Sequence, residues 1–395
     1  MLTDQPSGVR LGEMNLCCML AFDRRIVRRY EIFRRNDDRN MNGGDAMGTM
    51  GSVRKNASKA LALAGVAIMA ALAPIAPVEA EGPGGFPSRP ITLFVPYGEG
   101  GGSDQLSRTM AASIQTIEPI EFDIQNRPGQ AGQKVIPEFM ETAADGHTII
   151  QHIDDAVSAY AAGSIPENPA EDWIPLAMVQ ITFSQLYIRT DESRFDDWDS
   201  FLTYAKASPN ELVIANVSYD GSMERVNMQR LEQALGFKVR QVSFDKPKER
   251  YEALLYGRVD LLFEQPGDVG SYLDAGDMKP ILTFFSERPG AFADVPTHTD
   301  VGADFDSLLR FRGFYVKNGT DPEVVSYLED IFRAGFESQT FQAFNRKKYM
   351  HLIDSYRDRE AAIKLIDRTV AQYQATYEDM LYEVFQDYIK DSGGS

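Results

Sequence analysis

Ile91-Thr-Leu-Phe-Val-Pro-Tyr-Gly-Glu-Gly-Gly-Gly-Ser-Asp104 reads as a β-rich run, a loop with four glycines and the opening of an amphipathic helix. Ser103 or Asp104 can cap that helix, and the glycines let ligand atoms approach bare backbone N–H groups. The loop is thus suited to hold a small polar or anionic group, where the plainer reading is a tight strand-to-helix turn. Two other glycine-loop chemistries fail on spacing. A P-loop needs Lys-Ser/Thr after its last glycine, and Ser103-Asp104 stands there with no lysine to reach a phosphate. A dinucleotide fingerprint needs Gly-x-Gly-x-x-Gly, whereas Gly98, Gly100, Gly101 and Gly102 bring the third glycine too early and Asp104 would repel a pyrophosphate.

Upstream, residues 53–80 read as an export signal. Arg54, Lys55 and Lys59 give the positive region, Ala60 to Ile75 the apolar region, and Val78-Glu79-Ala80 a small-x-small cleavage site near Ala80. The apolar run is shorter than the roughly 20 residues of a spanning helix and is interrupted by Pro74 and Pro77. Residues 1–52, arginine-rich and carrying both cysteines, Cys17 and Cys18, form an extension ahead of the signal, which points to Met41, Met47 or Met50 as the start. A mature chain from Glu81 then has no thiol, disulfide or lipid anchor. Residues 1–80 hold 11 basic and 8 acidic residues of the chain's 40 and 58, which leaves 29 and 50, a net charge of −21. Such a surface repels phosphate, so nucleic acid is excluded as a partner.

About 315 mature residues exceed one core, so two lobes are expected. Strand-like runs at 91–95, 122–125, 148–151, 186–188, 212–215, 238–242, 261–263, 281–285 and 313–316 alternate with helical stretches such as 103–117 and 223–235. The alternation predicts an α/β protein with mixed, mainly parallel sheets and helices on both faces. Asp321-Pro322 opens a C-terminal helical part, 323–336 and 359–385, expected to cover the first lobe.

With these features in view, the chain resembles the Bug-type solute-binding proteins of tripartite tricarboxylate transporters. The resemblance is carried by Phe86-Pro-Ser-Arg-Pro-Ile91 with the glycine loop, Asn126-Arg-Pro-Gly129 with Gly132, Ala144-Asp-Gly-His-Thr148, Asp220-Gly-Ser222, Gly257-Arg-Val-Asp260 and Asp294-Val-Pro-Thr297. It spans roughly residues 86–377. It implies a two-lobed periplasmic binding protein, a "Venus flytrap", with lobe 1 from residues 81–186 plus 311–395, lobe 2 from residues 187–310, and crossings near Leu186 and Gly313. It further implies a ligand carboxylate grasped by two loops: Tyr97, Gly98, Glu99, Gly100, Gly101, Gly102, Ser103 and Asp104 on one jaw, Ser218, Tyr219, Asp220, Gly221 and Ser222 on the other. Helix N-termini and backbone N–H donors satisfy such an anion without an arginine.

This chain departs from the family pattern in ways that bear on the ligand. Glu99 replaces a usual proline, Asp154-Asp155 replace small hydroxyl residues, Glu264 ends a cleft-directed strand, and Arg312 stands where an aromatic is frequent. Several carboxylates in one pocket disfavour a dicarboxylate unless protonated or paired, which points to an amine-bearing or zwitterionic solute. The plainer reading is that these acids cap helices or face solvent. Among aromatics, Tyr97 and Tyr219 lie inside the grasping loops and are better placed than Phe244 to stack on a ligand.

Enzyme chemistry finds no support. The mature histidines, His147, His152, His298 and His351, form no metal-ligand spacing, no cysteine nucleophile remains, and Gly-x-Ser-x-Gly is absent. No catalytic residue, metal or cofactor is therefore expected. The partners implied are a small organic solute and the membrane permease subunits of a tripartite tricarboxylate transporter, the protein acting as a monomer in the periplasm. The competing role is to signal to a membrane sensor kinase.

Overall fold

The computed structural model describes residues 82–216, 221–244 and 246–392, the side chains through residue 377. The extension, the signal segment and the expected ligand residues Ser218, Tyr219 and Asp220 lie outside the described residues. Two five-stranded mixed sheets organise the rest. In the first, β1 (Ile91–Val95) lies between β2 (Phe122–Asn126) and β3 (Thr148–Ile153), parallel to both; β10 (Arg310–Lys317) then runs antiparallel between β3 and β4 (Trp173–Thr182). The second sheet has the same plan. There β6 (Val213–Asn216) lies parallel between β7 (Arg240–Ser243) and β8 (Leu261–Glu264), and β5 (Ser184–Arg189) runs antiparallel between β8 and β9 (Met278–Phe284). Parallel and antiparallel pairings are thus evenly divided in each sheet.

Alternation along each strand fills a core on both faces. Leu93, Ile149 and Phe314 enter one cluster while their neighbours Phe94, Ile150 and Tyr315 enter another across the sheet. In the second sheet Leu186 and Phe263 go to one side, Tyr187 and Leu262 to the other. Each such side chain removed from water contributes about 1.5–3 kcal/mol. Strand β4 was not expected from the sequence. It is buried along nearly its whole length, so it lacks the alternation that marks a half-buried strand, and Pro175 interrupts it. Its place at the sheet edge is what tolerates that proline.

The chain passes between sheets twice. Thr182 ends β4 in the first sheet and Ser184 begins β5 in the second, so Ser184–Leu186 belong to the second sheet. On return, Leu308 packs in the second-sheet core, Leu309 against a first-sheet cluster, and Arg310 is already paired in β10.

Ten α-helices lie among the described residues: α1 (Gly102–Gln115), α2 (Ile136–Glu141), α3 (Asp154–Ala161), α4 (Trp198–Ala207), α5 (Met223–Leu235), α6 (Pro247–Leu255), α7 (Pro266–Ala275), α8 (Pro322–Glu337), α9 (Gln339–Lys347) and α10 (Arg359–Ser392). Asp321 caps α8 through Glu323 N–H at 2.8 Å, with Pro322 at the first position, as its sequence predicts. The last helix does more than cover the first lobe. Ala362 and Ile366 pack there, but Tyr373 is buried in the second-sheet core, and Arg230 of α5 donates to the Gln372 carbonyl at 3.0 Å. Helix α10 therefore ties both halves together.

Candidate functional site

The glycine loop closes on itself before it meets anything else. Gly100 has φ +76°, a backbone conformation that favours glycine, and its N–H donates to Asp104 Oδ2 at 2.8 Å. Helix α1 starts one residue earlier than expected, so its N-cap is Gly101, without a side-chain cap, and neither Ser103 nor Asp104 takes that role. Asp104 instead sits in the first turn, where Arg108 Nε also donates to it at 2.9 Å. Burial opposes ionisation of Asp104, but the hydrogen bonds from Arg108, Gly100 and Asn126 hold its carboxyl below the usual range. Gly98, Glu99 and Gly100 face solvent, while Gly101 and Gly102 are half-buried. By helix geometry the first-turn N–H groups of Gly102 and Ser103 have no intrahelical acceptor.

Two arginines of β10, two residues apart, gather the remaining groups. Arg310 Nη1 donates to Asp154 Oδ1 at 2.8 Å and Asp155 Oδ1 at 3.0 Å, both in the first turn of α3. Its Nη2 donates to Glu224 Oε1 at 2.6 Å, in the first turn of α5. Tyr97 is drawn into the same cluster, donating its hydroxyl to Asp155 Oδ2 at 2.9 Å, and its ring meets buried His152 edge-on. Burial, then the Asp155 charge, pushes the Tyr97 hydroxyl well above its ordinary value. Asp154 is pushed up to about 7 by burial, partly offset by Arg310 and reinforced by Asp155 and Glu224.

Arg312, the second arginine, bonds Gln180 Oε1 at 3.2 Å and Asp268 Oδ2 at 3.3 Å, the latter in the first turn of α7. A Cβ on Gly102 would stand 3.2 Å from this guanidinium, so glycine there permits the close approach of α1. Lys348 also faces Asp268 at 3.8 Å. Gly267 lets the backbones of the two halves touch, since a Cβ on it would stand 2.3 Å from the Lys348 carbonyl oxygen. The first turns of four helices, α1 and α3 from one half and α5 and α7 from the other, thus converge on Arg310 and Arg312.

The expected site residues separate accordingly. The structure brings together Tyr97, Asp154 and Asp155 around Arg310, and Gly102 beside Arg312. Ser222 caps α5, accepting from Arg225 N–H at 3.4 Å, next to half-buried Gly221. Glu264 is drawn away, into the second half: Arg250 pairs with it, Tyr251 donates at 3.0 Å and Gln265 N–H at 3.0 Å. Glu99 is exposed on the loop tip, and Phe244 packs against the second-sheet core. Tyr97 is committed to Asp155 through its hydroxyl, which sets its ring by an internal bond.

Sequence reasoning missed Glu224, Asp268, Gln180 and Arg310 as partners. The available signal was acids in helix first turns and the Arg310-Phe-Arg312 spacing. Three of the histidines do structural work: His147 accepts from Ser88 N–H at 3.1 Å, His152 lies 3.2 Å from the Gly132 carbonyl, and His298 lies 2.8 Å from the Ala303 carbonyl. Burial lowers both His152 and His298 from the usual imidazole range. Among the described residues no three His, Cys, Asp or Glu side chains are arranged to hold a metal ion.

The sequence pattern described as "Tripartite tricarboxylate transporter family receptor" matches residues 107–380. Protein BugT of Bordetella pertussis is 25% identical over 287 residues, covering 72% of this chain and 86% of BugT. A TctC solute binding protein from Polaromonas, solved without ligand, superposes with a TM-score of 0.61 at 25% identity, over 74% of this chain and 99% of its own. MatC from Rhodopseudomonas palustris with bound malate gives 0.64 at 21% identity, over 74% and 99%. The fold is the two-lobed periplasmic binding protein.

Proposed function

The chain belongs to the tripartite tricarboxylate transporter family of receptors, and from that premise we propose that it captures a small organic carboxylate between its lobes in the periplasm and delivers it to the permease. The observation that carries this reading is the convergence of four helix first turns, two from each half, on the crossing strand β10. The positive ends of helices favour an anion, and at α1 the first-turn N–H groups of Gly102 and Ser103 are the donors we assign to the solute carboxylate. Binding there bridges both halves, and a solute favours closure by its greater affinity for the closed state.

The lobes we assign are residues 82–183 with 309–392, and 184–308, divided where β4 gives way to β5 and where Leu308 gives way to Leu309. Receptor activity in this family is binding, so the chain is assigned no reaction. We assign residues 53–80 to a leader removed on export, with the receptor then meeting its permease as a monomer.

A thermal-shift series of the purified protein with malate, succinate, adipate and citrate tests capture. A bound solute at 100 times its Kd adds about 2.7 kcal/mol of stability. A melting temperature unmoved by every carboxylate, with calorimetry equally silent, overturns the reading. N-terminal sequencing of the exported protein tests the leader: a start near Glu81 is expected, and retention of Met1 excludes it.

A further inference from the structure

Arg310 does not balance the acids around it. Asp154, Asp155 and Glu224 all bond its guanidinium, at 2.8, 3.0 and 2.6 Å. Arg250, which also feels the charge of Glu224, is paired with Glu264. Among the described residues, four buried carboxylates therefore meet two guanidiniums.

The bonding is more telling than the count. Asp154 Oδ2 and Glu224 Oε2 are both buried and accept no hydrogen bond, in residues each 1% exposed. A buried carboxylate oxygen without a donor is costly, and native proteins rarely leave one so. The two acids come from opposite lobes yet hold adjacent nitrogens of one guanidinium, which places them side by side. A group with several N–H donors and a positive charge meets both demands. A primary ammonium has three such donors on one small centre.

We propose that the captured solute carries a primary ammonium in addition to its carboxylate, and that the ammonium binds Asp154 and Glu224 beside Arg310. This rests on the reading that the cleft captures a carboxylate. It assigns the Gly102–Ser103 end of the cleft to the carboxylate and the Asp154–Glu224 end to the amine. Because Asp154 and Glu224 lie in different lobes, the ammonium draws the lobes together and contributes directly to closure.

The test compares 4-aminobutanoate with pentanoate, which has a similar chain but no amine, alongside succinate and adipate, by calorimetry and melting of the purified wild-type protein. The aminated compound is expected to bind at least tenfold more tightly than pentanoate. At pH 8, where unliganded Asp154 is ionised, the affinity of 4-aminobutanoate falls tenfold or more in Asp154→Asn and in Glu224→Gln, while that of succinate holds or rises because a repelling charge has been removed. Wild-type protein that binds 4-aminobutanoate no better than pentanoate overturns the inference, and that comparison stands even where a variant fails to fold. Binding of succinate or adipate in that same experiment leaves solute capture intact, whereas silence from all four compounds sinks both readings. Stabilisation by calcium or magnesium, with none by the amine, overturns the ammonium in favour of a metal cation.

Discussion

Arg310 and Arg312 stand two residues apart on the strand that joins the lobes, and each reaches across to the first turn of a second-lobe helix. Around Arg310 the acids outnumber the base: Asp154, Asp155 and Glu224 share it, all almost fully buried. Around Arg312 the balance is reversed, since Asp268 is shared between Arg312 and Lys348 and the remaining partner, Gln180, is neutral. One strand thus carries an acid-rich cluster and a base-rich one. Helix N-termini alone therefore do not determine the ligand's charge, because each first turn already bears side chains that add to or cancel its field.

Of the two arginines, Arg310 carries the heavier energetic burden. Arg310→Met leaves three carboxylates buried without their guanidinium, and removing one partner of a buried ion pair costs about 3–5 kcal/mol. Arg312→Met loses charge-assisted bonds worth about 1.5–3 kcal/mol at most, because Asp268 keeps Lys348 and some access to water. Urea unfolding of the two variants measures both. Equal losses would show that the charge surplus at Arg310 is neutralised by groups other than those named.

The pH dependence sharpens the same contrast. Asp154, with an ordinary value of 3.8, is pushed up to about 7, first by burial. The native protein then keeps a proton that the unfolded chain has already released, so its unfolding free energy falls as pH rises from about 4 to about 7. Asp154→Asn removes this titration and should flatten that slope in unliganded protein. A slope unchanged in the variant assigns the proton to another group.

Much of this was legible in the sequence and some was not, for identifiable reasons. The glycine loop, the nine predicted strands and the capped helix at Asp321 were readable because each rests on neighbours within a few residues. Strand β4 was hidden by its own burial. Glu264 read as a cleft residue because its strand ends there; the residue that claims it, Arg250, lies 14 positions away on α6. Glu224 and Asp268 were not singled out, since their guanidiniums lie 86 and 44 positions off. Side-chain pairing over such separations depends on the crossing of the two lobes, which local periodicity does not encode.

Closure itself can be probed at Gly267. Alanine there places a Cβ 2.3 Å from the Lys348 carbonyl oxygen, a backbone atom that cannot swing away. The halves must separate slightly beside Arg312, whose partner Asp268 follows Gly267 directly in α7. We expect solute affinity to fall about tenfold, equivalent to about 1.4 kcal/mol, with scattering showing a wider molecule. Gly102→Ala should cost less, because the nearest atom, 3.2 Å away, belongs to the flexible Arg312 side chain. Equal losses in the two variants would mean that the Gly267 contact does not limit closure.

The smallest effect on binding tests whether Tyr97 serves the acid-rich cluster or only packs against it. Its hydroxyl bond to Asp155 is a single uncharged donor to a carboxylate already held by Arg310. Tyr97→Phe should therefore lower stability by about 1.5 kcal/mol, the low end for a hydrogen bond to a charged group. It also removes a donor from an acid cluster that has a surplus of acceptors, so Asp155 becomes a better partner for an incoming ammonium. Binding of an aminated solute should hold or tighten slightly in this variant even as the melting temperature falls. A loss of affinity larger than the loss of stability would instead place the Tyr97 hydroxyl on the solute, and the bond to Asp155 would then be the contact that the solute replaces.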